Sequence, residues 1–248
     1  MPRSLKVIIA LVVSIGVLAG LGEWGLRLLV PGIVETQVRS KLDLPKSHPV
    51  DVELGGSALL HAIRGGVGDI EVDIPDAPVV DGVTATLTFR ADQVPFAVTT
   101  GDIENPTASI YVPAANLGPV ISMLTSGVAD TGKTSGGDLV VGRTIDALGF
   151  QVPIEATLKL SVEDGMVRVE PTGLSAVGFD LSAEQLAAAT GGLLDPLLSS
   201  RVMCVSDKLP AGVTLEQIRV TTGGASVDVS LTPDFLSNAA QRAPGTCE

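Results

Sequence analysis

VDVELGGSALLHAIRGGVGDIEVDI, residues 50–74, is the stretch on which the fold turns. Side chains along a strand repeat every two residues, so Val50, Val52 and Leu54 share one face, as do Ile70, Val72 and Ile74. Between these alternating runs, Ala58, Leu59, Ala62 and Ile63 recur at helical spacing. Gly55-Gly56 and Gly65-Gly66 bound them and can supply turns and caps. The spacing predicts strand, helix, strand, with the helix on or beside an aliphatic sheet face. That face closes either on a solid core or on an apolar ligand.

A chain of 248 residues can bury a substantial core, and aromatics make up only 3% of it, so the interior must be built from Val, Leu, Ile and Ala. The net charge of −12 argues against non-specific nucleic-acid binding, which depends on clustered Lys and Arg.

Arg3 and Lys6 precede an uncharged apolar run over residues 7–22, the pattern of an export signal or a membrane anchor. As a helix that run spans roughly 24 Å, short of the ~30 Å hydrocarbon core, although Lys6 can snorkel and Trp24 can sit at the interface. Val17 and Ala19 make a weak small-residue cleavage site, so both readings stay open. In either, the positive flank stays inside and the body from about Pro31 is extracytoplasmic. The expected division is a signal or anchor over 1–30 and one domain over 31–248. Cys204 and Cys247 are the only cysteines, and an exported chain with an even count normally pairs them, two free thiols being the alternative.

Ile33, Val34, Gln37, Val38, Lys41 and Leu42 have helical spacing and precede Pro45, which predicts a short leading helix. Strands are expected over 83–89, 96–99 and 109–112. Pro113 can open a helix whose stripe is Leu117, Val120, Ile121 and Leu124, followed by a flexible loop over 126–137. Two hairpins follow. Asp164-Gly165 sets Val162 opposite Val167 and Leu160 opposite Val169. Gly223-Gly224 is expected to set Val220 opposite Val227 and Ile218 opposite Val229. Between the hairpins a helical stretch runs from Ser182 to about Val202, with Leu186, Leu193 and Leu197 on one face.

Catalytic motifs fail: there is no GxSxG, HExxH, Walker loop or GxGxxG. His48 and His61 are the only histidines and neither belongs to a nucleophile–base–acid set. The acids Asp69, Glu71, Asp73, Asp76 and Asp81 do not follow an EF-hand spacing, and no metal or other cofactor is expected.

Alternating aliphatic strands, greasy helices and missing catalytic groups suggest a container for something apolar. Four segments, IVETQVRSKL, VELGGSALLHAIRGGVGDIEVDI, IEATLKLSVEDGMVRVEPTGL and LPAGVTLEQIRVTTGGASVDVSL, resemble the LmeA-like phospholipid-binding family of actinobacterial envelope proteins, in the family's order. The chain departs from the family at Ser57-Ala58-Leu59, where a Pro-Phe-Leu type segment is common. The resemblance implies an α+β fold, a long curved antiparallel sheet wrapped around a few aliphatic helices, as in tubular lipid-binding proteins. It implies a non-enzymatic protein that holds or shuttles phospholipid, with phosphatidylinositol-type lipids as candidates.

Candidate groove residues are Leu59, Leu60, Ile63, Leu117, Val120, Ile121, Leu124, Leu186, Leu193 and Leu197, each of which could equally pack a solid core. Candidate head-group cations beside those helices are Arg64, Arg201 and Lys208. An envelope scaffold without a lipid cavity, and more remotely a lipid or glycan hydrolase, are the competing readings.

Overall fold

A computed structural model describes residues 3–80, 82–124, 129–147, 150–176, 179–182 and 200–247. Its elements are α1 (Arg3–Lys41), β1 (Asp51–Leu54), α2 (Ala58–Ile63), β2 (Gly66–Val80), β3 (Val83–Pro95), β4 (Thr107–Pro113), α3 (Leu117–Leu124), β5 (Thr131–Ser135), β6 (Asp138–Ala147), β7 (Phe150–Glu163), β8 (Met166–Ala176), β9 (Phe179–Ser182), β10 (Arg201–Met203), β11 (Val213–Thr221) and β12 (Gly224–Leu231). The strands form two open sheets rather than one: β1-β2-β3-β4-β12-β11, and β10-β8-β7-β6-β5 with β9 paired to β8. Every pairing with an assigned register is antiparallel.

The opening stretch folds as its spacing predicts. Val52 lies opposite Val72 and Leu54 opposite Ile70. Val50, Ile70, Val72 and Ile74 are buried, and the intervening Asp51, Glu53 and Asp69 are exposed. A one-residue slip would expose this whole aliphatic set, so burial pins the register.

Contacts divide the chain into two compact units: residues 1–75, 88–106 and 232–238, and residues 76–87, 107–231 and 239–248. In the first, α1 packs against β1 and α2. The helix is continuous through Pro31 and ends at Lys41, so the expected short leading helix is the last part of a longer one. Among the described residues no helix is long and apolar enough to cross a membrane.

Among the described residues of the second unit, Leu117, Ile121 and Ala129 form one buried cluster, with Val112, Ala114, Leu139, Val141 and Ala225 packed against it. α3 sits directly on β5, because a Cβ at Gly132 would lie 2.2 Å from Ile121 Cδ1. Of the expected flexible loop over 126–137, residues 126–128 lie outside the described residues, and the later part is corrected: Thr131–Ser135 is a strand paired with β6. Gly136 and Gly137 both take positive φ, 60° and 94°, the geometry of a tight two-residue hairpin turn.

The Asp164-Gly165 hairpin has the register expected of it, Val162 opposite Val167 and Leu160 opposite Val169. The other hairpin is shifted: Ile218 faces Val227, Val220 faces Ala225, and Thr221 faces Gly224, so Thr222 and Gly223 make the turn. Gly224 is the first residue of β12, paired with Thr221 and with Pro113 of β4, and a Cβ there would stand 2.2 Å from the Val112 carbonyl oxygen. The shift is by two positions, which keeps each side chain on its expected face.

Two further expectations change. Residues 96–99 are a turn, in which Thr100 N–H and Gly101 N–H both donate to the Ala97 carbonyl. The expected helix from Ser182 to Val202 lies largely outside the described residues, but its ends are strands, β9 and β10. Cys204 and Cys247 form a disulfide with their Cα atoms 5.9 Å apart.

Candidate functional site

Six residues make a short helix, too few to be stable alone, so α2 depends on what holds its ends. Ser57 is its N-cap, in extended geometry, and its Oγ accepts the Leu60 N–H at 3.3 Å. The remaining free donors are met from α1. Glu23 accepts the Leu59 N–H at 2.8 Å, the Ala58 N–H at 3.0 Å and the Ser57 hydroxyl at 2.8 Å. Arg27 donates to the same carboxylate at 2.7 Å, to the Leu54 carbonyl at 3.1 Å and to the Gly56 carbonyl. The Leu59 N–H, then Arg27, Ala58 and Ser57, hold the Glu23 carboxyl down to about 2.

On its inner side α2 meets backbone. A Cβ at Gly22 would lie 3.5 Å from Leu59 Cδ1, and one at Gly68 would lie 1.9 Å from His61 Nδ1. His61 therefore lies flat on Gly68, with Nε2 3.8 Å from Asp69 Oδ2. His48 is fixed through Nε2 to the Pro75 carbonyl at 2.9 Å. Of the acids on β2, Glu71 pairs with Arg90 and Asp73 accepts from Thr88.

The candidate groove residues part ways. Leu59 packs inward, whereas Leu60 is 58% exposed and Ile63 75% exposed, with Arg64 beside them in solvent as the C-cap. In the second unit Leu117 and Ile121 are 4% and 6% exposed in a closed core, and Val120 is half-buried. Leu186, Leu193 and Leu197 lie outside the described residues, as does the side chain of Leu124. Of the candidate cations, Arg64 belongs to the first unit and Arg201 and Lys208 to the second. Arg201 is exposed on β10, and Lys208 pairs with Asp207 at 2.8 Å.

Sequence reasoning missed Glu23 and Arg27. Their signal is the first pair of opposite charges at i, i+4 after the apolar run, which marks a helix side chain pair but not its distant partner. It also missed a hollow of about 360 Å³ in the second unit, lined by Asp164, Leu209, Pro210, Thr214 and Thr246 among others. Its mixed polar wall does not suit an acyl chain.

No curated protein and no solved structure matches the chain. The family model described as LmeA-like phospholipid-binding matches residues 21–241, which takes in α1 from Leu21, the Glu23 latch, α2 and both sheets. The chain belongs to the LmeA-like phospholipid-binding family.

Proposed function

We propose that this protein is a non-enzymatic, extracytoplasmic phospholipid carrier of the cell envelope, tethered or exported through its apolar N-terminus. Family membership across residues 21–241 is the observation that carries the reading. The geometry supports it in one respect: a helix latched at its start turns aliphatic side chains outward, where a lipid can reach them. In this reading a curved sheet shelters acyl chains against aliphatic helices, and each buried methylene contributes about 0.8 kcal/mol. An anionic head group, of phosphatidylinositol type, is met by Arg64 or by Arg201 and Lys208. Shuttling follows if the lipid enters and leaves from the membrane side.

The test is lipid itself. Purified full-length protein is expected to yield phospholipid on extraction and mass spectrometry, and to bind a fluorescent phospholipid saturably. Folded protein that does neither overturns the proposal. Leu117 and Ile121 favour a second reading, an envelope scaffold without a lipid cavity, since both are spent on a solid core. Folded, lipid-free protein that binds an envelope enzyme would establish it.

A further inference from the structure

Leu60, Ile63 and Arg64 fall at i, i+3 and i+4, so they form one stripe of α2, while Leu59 and His61 take the inner side against Gly22 and Gly68. A solvated stripe is normally polar; this one is two aliphatic side chains with a cation at its end. The apolar surface continues past the helix. Gly65 at the end of α2 accepts the Phe96 N–H at 2.9 Å, and Phe96 is 61% exposed, with Val98 also exposed in the same turn.

We infer that Leu60, Ile63, Phe96 and Val98 form a membrane-contact face that enters the outer part of a bilayer, with Arg64 at phosphate level. The inference rests on the proposed lipid function and names the partner of its exposed helix. Two observations point to a bilayer rather than a protein. Glu23, which holds the start of α2, is the residue immediately after the apolar run 7–22, so α2 stands where that run ends. The face also combines aliphatic and aromatic tips with one guanidinium, which reaches phosphate while its stem stays in apolar surroundings. At a net charge of −12, attraction to anionic lipid is not what holds the chain to a membrane, and apolar insertion is.

Trp24 is the only tryptophan, so Trp24→Phe clears the background for a reporter. The full chain carrying Trp24→Phe with Ile63→Trp, and separately with Phe96→Trp, is reconstituted into phosphatidylcholine vesicles with or without bromine on the acyl chains. Blue-shifted emission, quenched by half or more on brominated lipid, is the expected result. Emission typical of water without quenching overturns the inference. Blue-shifted emission that bromine leaves unchanged means that protein covers the face, and overturns it equally. The lipid function fails separately: unquenched reporters in a protein that still binds fluorescent phospholipid defeat only the contact face, and quenched reporters without bound phospholipid defeat only the carrier reading.

Discussion

Glu23 and Leu59 are 36 positions apart, and the Glu23 carboxylate accepts the Leu59 N–H at 2.8 Å. That bond, with those from Ala58 and Ser57, makes the start of α2 a property of α1 rather than of its own sequence. The folded carboxyl titrates at about 2, below its ordinary 4.5, so the latch is at full strength above pH 4.5 and fades as pH falls towards 2. Amide-exchange protection of Ala58 and Leu59 in the full-length protein is expected to fall across that window. In Glu23→Gln it should start lower and stay flat. Equal protection in the two proteins at pH 6 would show that the latch contributes nothing.

Ser57→Ala removes the cap hydroxyl from both of its partners, the Leu60 N–H and Glu23. Loss of an N-cap costs about 1 kcal/mol, and the loss should be local, appearing in exchange at α2 and not in the second unit.

Gly68→Ala is expected to destabilise by about 1–3 kcal/mol, because its Cβ would lie 1.9 Å from His61 Nδ1 in a packed site. His61→Ala makes the room, so the double variant should recover part of the loss. A denaturant double-mutant cycle with no coupling would contradict the contact.

The particulars explain what could be read in advance. The face shared by Ile70, Val72 and Ile74 was legible because alternation and burial act within a single stretch, and Val162 against Val167 because Asp-Gly suits a tight turn. Gly224 was not, since a glycine required by a turn and one required by a neighbouring backbone look alike until Val112 is placed beside it. Thr131–Ser135 hid for a different reason: it holds only polar residues and a glycine, and its strand is made by pairing with β6, Thr131 opposite Gly142 through Ser135 opposite Asp138. Of the candidate site, the helix and its sequence position were legible. Which of its side chains face out was decided by Glu23, Gly22 and Gly68, contacts that no local pattern encodes.

The same burial contrast separates stability from function. Leu117→Ala or Ile121→Ala opens a closed core and should cost about 2–5 kcal/mol, read from the shift in denaturation midpoint. Leu60→Ala and Ile63→Ala, at exposed positions, should stay within about 0.5 kcal/mol of the parent. If Ile63→Ala proves as costly as Ile121→Ala, Ile63 is buried in solution and the outward stripe is wrong.

The disulfide closes a loop with a sequence separation of 43. In the chain-entropy view a loop of that size contributes about 4 kcal/mol by restricting the unfolded chain. The bond also keeps the last segment in place, where the Gly245 N–H donates to the Leu209 carbonyl at 2.8 Å and Pro210 bridges to Pro244. Cys204→Ser with Cys247→Ser should therefore lower the denaturation midpoint and speed exchange at Gly245, while the register of β7 against β8 is kept. Because α2 and its latch belong to the other unit, binding of a fluorescent phospholipid through the α2 face should persist wherever the protein remains folded. Loss of that binding in folded double variant would assign the lipid site to the disulfide-bearing unit, with Arg201 and Lys208 rather than Arg64 as the head-group cations.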